Sequence, residues 1–207
     1  GGGGDIYLAK IKDNGNTGLT VFDTYIGGSQ GDSGETHHLA VDNAGSVFVA
    51  ASTRSTNLIP PGTTGSDTTH NGNMDQFVAK VSKDGALQAA TYIGGSQNDF
   101  IQGISLDQAG NVYVSGDTAS TNYVPSGVPS FDSTKSGGTD ASVAKLSNNL
   151  GSLLYASYLG GSGDDVARSL FVTSSGLVTI AGHADNNNFP TVNGLPNMTY
   201  GDLDAFA

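Results

Sequence analysis

Cysteine is absent from this 207-residue chain, which excludes a disulfide framework and any thiolate-bound metal. Basic residues are scarce: eight Lys and Arg stand against nineteen Asp and Glu, for a net charge of −11 and a pI near 4.3. Phosphate backbones and anionic lipid surfaces are gripped by clustered Lys and Arg, so both nucleic acid and the membrane surface are disfavoured as partners. No apolar run reaches the roughly 20 residues a membrane-spanning helix needs, and no insertion into a bilayer is expected. Helical spacing of apolar residues is missing over any useful length. No Ser-His-Asp or paired-carboxylate spacing suggests a catalytic constellation, and a non-enzymatic role is expected. The hydrophobic share is a modest 36%. Its residues are regularly placed, which argues for a folded chain rather than a disordered one.

What the chain does have is glycine, 31 residues of it, and repetition. Thr24-Tyr25-Ile26-Gly27-Gly28-Ser29 returns as Thr91-Tyr92-Ile93-Gly94-Gly95-Ser96 and as Ser157-Tyr158-Leu159-Gly160-Gly161-Ser162, at spacings of 67 and 66 residues. An Asp stands three residues after the Ser each time (Asp32, Asp99, Asp165). A period of this size marks an array of supersecondary units. The repeats run over residues 5–74, 75–139 and 140–203, with a fourth beginning at 204–207, and are read as one array. The opening Gly1 to Gly4 and the close at Asp204 to Ala207, inside an expected strand, read as part of something longer.

Within each period four segments recur. In the middle copy Asp75 to Val81 alternates apolar and polar residues, as a half-buried strand does. Ser82-Lys83-Asp84-Gly85 supplies a tight turn, and Ala86 to Ile93 is a second strand. Ile101 to Asp107 is a third, Gln108-Ala109-Gly110-Asn111 another tight turn, and Val112 to Gly116 a fourth. A polar stretch with a late proline follows, as Ser55-Thr56-Asn57-Leu58-Ile59-Pro60, Ser120-Thr121-Asn122-Tyr123-Val124-Pro125 and Asn186-Asn187-Asn188-Phe189-Pro190. Four antiparallel strands in each repeat of about 66 residues is the arithmetic of a β-propeller blade. A calcium-binding β-roll competes, because Gly160-Gly161-Ser162-Gly163-Asp164-Asp165 looks like one of its turns. That roll needs its motif every nine residues or so, and the reading fails on spacing.

The motifs Gly-Gly-x-x-Asp, Phe77-Val78-Ala79-Lys80, Thr91-Tyr92-Ile93-Gly94-Gly95-Ser96, the Val-Asp-x-Ala-Gly-Asn-Val-Tyr-Val type of hairpin and Ser-Thr-Asn-x-x-Pro, in that register, resemble the bacterial SBBP β-propeller repeat. The resemblance covers essentially the whole chain and implies a propeller fold, in a family of large secreted and surface proteins. It implies no single activity. The third copy departs from the pattern at Thr173, where the others carry Asp, and at His183-Ala184, where they carry Ser52-Thr53 and Asp117-Thr118.

Candidate sites follow from the repeats. Asp32, Asp99 and Asp165 have two readings: oxygen ligands for a hard cation such as Ca²⁺, or caps on nearby backbone N–H groups. Asp42 and Asp107 are read as caps beside their hairpins. Around Asp32 the first copy carries two extra residues, and Glu35 and His37 join it in a mixture a metal site would use. Adjacent His37 and His38 would point to opposite faces of a strand, which counts against one shared ion. The long proline-containing connections fall on one face with the Gly-Gly loops, and there Tyr123, Phe131, Phe189 and Tyr200 are candidates for stacking on a glycan. Lys10, Lys80 and Lys145 read as solvated strand residues that discourage edge pairing.

The fold class is therefore all-β, a β-propeller of four-stranded antiparallel blades. Three repeats are too few for an ordinary closed ring, so the ring is incomplete or completed by another chain. If the Val-Asp-x-Ala-Gly hairpin begins each blade, the chain starts with the outer half of one blade and ends in the inner half of another. Self-association through these half-blades is the expected partnership. The expected role is a structural or adhesive module at a bacterial or archaeal surface, with filament formation as one form. A glycan, small molecule or surface protein held on the long-loop face is the alternative.

Overall fold

The computed structural model describes residues 3–32, 38–185, 188–190 and 204–207. Every regular element among them is a strand, as the two-residue alternation requires. In chain order these are β1 (Ile6–Asp13), β2 (Gly18–Ile26), β3 (His38–Val41), β4 (Val47–Thr53), β5 (Asp75–Val81), β6 (Leu87–Ile93) and β7 (Asp99–Leu106). They continue with β8 (Val112–Thr118), β9 (Asp140–Leu146), β10 (Leu153–Leu159), β11 (Asp165–Val172), β12 (Val178–Ala184) and β13 (Asp204–Phe206). The expected third strand of the middle copy begins at Asp99 rather than Ile101, so the repeated Asp is its first residue.

Four antiparallel sheets result. Two are complete four-stranded blades, β3-β4-β5-β6 and β7-β8-β9-β10, each a simple meander. Before them stands a two-stranded sheet, β1-β2, and after them a three-stranded one, β11-β12-β13. The hairpin that follows Val41, Leu106 or Val172 does begin each blade, so a sheet takes two strands from one sequence repeat and two from the next. The third strand β13 is short, facing only Gly182, His183 and Ala184 of β12. β7 lies between β3 and β11, so the first strands of successive sheets stand side by side around the axis, as in a propeller.

The inner turns share one chemistry. In each, Gly N–H donates back three residues, as in Gly110 to Asp107 O at 2.9 Å, and the flanking residue closes a second bond, Asp107 N–H to Asn111 O at 3.1 Å. Gly110 sits at φ +79°, which a type I turn followed by a bulge needs. The β9–β10 turn is one residue longer. There Leu150, fully buried, takes the positive φ of 58° in place of glycine.

Two apolar cores lie between sheets rather than within one. Ile6 and Leu8 of β1 pack with Val47, Val49, Phe77, Ala79 and Tyr92 of the first blade. Phe48, Val78, Ala89 and Ile93 on that blade's other side pack with Val112, Val114, Ala144, Leu146 and Tyr158 of the second. Strands buried on both faces explain why β4 and β8 have no exposed residue. The long connections are not free loops. The one after β4 returns along the outermost strand in parallel, with Ala90 and Tyr92 N–H donating to Thr64 and Asp67 O at 2.9 Å each. The one after β8 does the same, Ala156 to Pro129 O and Tyr158 to Asp132 O at 3.1 Å each. Each outer edge is thereby covered by its own blade.

Candidate functional site

The Gly-Gly loop carries the chain from one blade to the next, and the following blade pins it. Gly95 N–H donates to Asp99 Oδ2 at 2.7 Å, Ser96 N–H to Asn122 Oδ1 at 2.9 Å and Gln97 N–H to Ser120 Oγ at 2.8 Å. The first loop repeats this, with Gly28 bonded to Asp32 (2.6 Å), Ser29 to Asn57 (2.9 Å) and Gln30 to Ser55 (2.9 Å). In the third, Gly161 donates to Asp165 at 2.7 Å and Ser162 to Asn188 at 3.0 Å. The glycines are required by proximity. A Cβ on Gly94 would lie 2.8 Å from Asp99 Oδ2 and 2.9 Å from Asp75 Oδ1, and one on Gly95 would lie 2.4 Å from Asn122 Oδ1.

Asp32, Asp99 and Asp165 are fully buried, and their carboxylates are occupied by the protein. Besides Gly95, Asp99 accepts from Ser120 Oγ at 2.9 Å and from Thr118 Oγ1, and Thr53 Oγ1 donates to Asp32 at 2.6 Å. Burial raises the Asp99 pKa, with the bonds from Thr118, Gly95 and Ser120 opposing it. Among the described residues no three His, Cys, Asp or Glu side chains gather where a cation would be held. A second recurring carboxylate escaped sequence reading. Asp75 and Asp140, the first residues of β5 and β9, are fully buried and accept from Asn71 N–H (2.7 Å) and from Ser136 and Gly137 N–H (2.8 and 3.0 Å). Their recurrence at the head of each first strand was the available signal.

Asp42 and Asp107 cap their turns, accepting from Ser46 and Asn111 N–H at 2.8 and 2.9 Å. The lysines correct an expectation. Lys80 and Lys145 lie mid-sheet, 5.0 Å over the Phe48 ring and 4.8 Å over the Tyr113 ring, and pair with Asp42 at 3.8 Å and Asp107 at 3.5 Å. They tie strands of their own sheet together instead of guarding an edge, and Lys80 also donates to Asn148 O of the next sheet at 3.1 Å.

Near the axis, polar residues that differ between repeats meet. Gln102 and Arg168 are the extra residues of bulges in β7 and β11, and bulges re-aim side chains. Both act on Asp117 of β8, Gln102 by a hydrogen bond and Arg168 by its charge. Burial nevertheless dominates and raises the Asp117 carboxyl to about 6, with Asp99 and Asp164 adding to the rise. In the other sheets Asp117's place is taken by Ser52, which accepts from Ile101 N–H at 3.0 Å, and by His183.

The ligand candidates are scattered. Tyr123 is 1% exposed, its hydroxyl donating to Gln76 Oε1 at 3.1 Å, so no ring face is open to a glycan. Phe189 stacks on Phe206 at 4.4 Å. Phe131 is 67% exposed and borders an apolar cleft of about 380 Å³, shared with Tyr113, Val143, Tyr155, Leu159 and Ile180. Tyr200, Glu35 and His37 lie outside the described residues. His38, the first residue of β3, faces Ala50.

A second open surface lies on β1–β2. Tyr7, Ile11 and Tyr25 are 55%, 67% and 70% exposed there, whereas Tyr92 and Tyr158, which hold the place of Tyr25 in the complete blades, are 1% exposed. The Tyr92 hydroxyl donates to Ser55 O at 2.9 Å and accepts from Leu58 N–H at 3.1 Å. Tyr158 does the same with Ser120 O and Tyr123 N–H, at 2.8 and 3.0 Å. Tyr25 belongs to the two-stranded sheet, where no such loop is found among the described residues.

Residues 90–123 match the family model described as the SBBP β-propeller repeat. The match takes in the end of β6, the Gly-Gly loop, the β7–β8 hairpin and the Ser120-Thr121-Asn122 segment, and it agrees with the resemblance drawn from the motifs. No curated protein matches the chain.

Proposed function

We propose that this SBBP-type propeller array is a non-enzymatic structural or adhesive module of a bacterial or archaeal surface that works by self-association, with filaments as one product. The observation that carries this reading is the pair of unfinished sheets. Among the described residues β1 pairs with β2 alone, and β12, fully paired with β11 on one side, is paired on the other over three residues, so both present open edges beside exposed apolar residues. Open edges recruit further strands. The complete blades between them have their outer strands covered by their own loops, which leaves the two ends as the places for association. Acidity and scarce lysine suit a solvent-exposed surface protein. The repeated carboxylates Asp32, Asp99 and Asp165 are buried and accept from Gly28, Gly95 and Gly161 N–H, which supports a structural part for them.

A second reading places a small ligand in the cleft beside Phe131, whose ring is exposed next to Tyr113 and Tyr155. Light scattering with negative-stain imaging of the purified 207-residue chain separates these readings. Filaments or rings of several copies are expected. A monomer at every concentration overturns the assembly reading, and binding on a glycan array would then favour the cleft.

A further inference from the structure

We propose that the β1–β2 hairpin of a second copy of this chain completes the β11–β12 sheet, pairing β1 with β12 in the register that β9 keeps with β8. The inference rests on the self-association reading and specifies its interface.

The complete blades show what belongs over the cleft. Phe48, Val78, Ala89 and Ile93 of the first blade share a core with Ala144, Leu146 and Tyr158 from the outer strands of the second. One repeat further on, those four positions are Tyr113, Val143, Tyr155 and Leu159, all of which line the cleft. The outer strands that would cover them are those of the next sheet, and among the described residues β11–β12 have in that place the three residues of β13. The positions of Ala144, Leu146 and Tyr158 correspond to Ala9, Ile11 and Tyr25, the exposed face of β1–β2. An uncovered apolar surface and the hairpin built to cover it thus occur at opposite ends of one chain.

A polar contact follows the same series. Lys10 Nζ donates to Lys83 O at 3.2 Å and Lys80 Nζ to Asn148 O at 3.1 Å, each reaching the outer turn of the next sheet. Lys145 is the third member, and in the completed sheet its acceptor is the carbonyl of Asp13, the residue that holds the corresponding place in the β1–β2 turn. The hydrogen-bonding edge agrees. β8 is paired with β9 from Val112 to Thr118, whereas the edge of β12 away from β11 is paired, among the described residues, only from Gly182 to Ala184. Transferring the β8–β9 register sets Ala181 opposite Leu8, Ile180 opposite Ala9, Thr179 opposite Lys10 and Val178 opposite Ile11. Further along, Ile6 and Tyr7 take the places of Ala205 and Phe206, so β13 is exchanged for the incoming strand. The fit has one weak point: Thr179 and Thr173 stand where Lys80 and Lys145 find a ring and a carboxylate. The join is head-to-tail, and repeats into a ring or an open filament.

Because the chain lacks cysteine, introduced thiols are the sole ones present. Ala9→Cys chains are mixed with Ile180→Cys chains, and Lys10→Cys with Thr179→Cys, then oxidised and run on a non-reducing gel. Adjacent rows of an antiparallel pair alternate in spacing, so at least one mixture brings its cysteines within disulfide reach. The expected result is at least tenfold more cross-linked dimer than in a displaced mixture of Ala9→Cys with Ala184→Cys. Association by light scattering without in-register cross-links overturns this interface and leaves self-association standing. Monomers throughout overturn both.

Discussion

Replacing Asp117 by Asn should stabilise the protein at neutral and alkaline pH. The carboxyl is 8% exposed and its folded pKa is raised to about 6 from the ordinary 3.8, with burial as the largest cause. A raised carboxyl pKa means that the folded chain binds the proton more tightly than the unfolded one. Stability is then highest below about pH 4, falls as pH rises through the folded pKa and levels off above it. A shift of about 2 units at about 1.4 kcal/mol each sets the cost of the ionised form at about 3 kcal/mol, as an order of magnitude. Asn keeps the shape and a partner for Gln102, and forgoes only the attraction of Arg168. Urea denaturation of both proteins at pH 4, 6 and 8 reads the effect. The two midpoints should nearly coincide at pH 4 and separate in favour of the variant by pH 8, with unchanged slopes. If the variant is weaker at pH 8 than at pH 4 relative to the parent, the Arg168 and Gln102 interactions outweigh burial and the reasoning fails.

Asp99→Ala removes the acceptor of Gly95, Ser120 and Thr118 together, and should cost about 3 kcal/mol or more by denaturant midpoint. Tyr92→Phe strands the buried Ser55 carbonyl and Leu58 N–H and should cost about 2 kcal/mol, while Tyr25→Phe in the monomer should cost under about 0.5 kcal/mol. Asp107 has the opposite pH behaviour to Asp117. Burial raises its pKa, but the Asn111 bonds and the Lys145 charge outweigh that and hold it below the ordinary value. Its contribution is present at neutral pH and lost as pH falls through that lowered pKa. The deficit of Asp107→Asn should therefore shrink in melts below about pH 4. Gly94→Ala pushes a methyl between two buried carboxylates and should lower the melting temperature sharply, which a thermal scan checks.

The strands and their grouping into blades were legible because alternation and turn glycines are local signals. Asp75 to Val81 and its hairpin could be read residue by residue, and the phase of the blades followed from the hairpin. Asp99 could be recognised as recurring, but both of its readings fitted the spacing. What decides between them is the arrival of Gly95, Thr118 and Ser120 from three different segments. Tyr123 looked like a loop aromatic because it follows Ser-Thr-Asn. Its burial comes from Tyr158 and Gln76, which lie 35 and 47 residues away and share no pattern with it. The parallel return of the long connections was hidden for a related reason. It is made by backbone bonds from strand N–H groups to Thr64, Asp67, Pro129 and Asp132, and such bonds leave no mark on side-chain periodicity.

The offset between repeat and sheet has a mechanical consequence. Every complete blade is stitched from two successive repeats, so no single repeat can be drawn out of the array without tearing two sheets. Tension applied at the termini would be shared across neighbouring blades, and the array should rupture in steps larger than one 66-residue unit. Gain or loss of one whole unit, by contrast, leaves every remaining blade with its full set of strands. The same stagger that makes the fold resist pulling lets its length change by duplication.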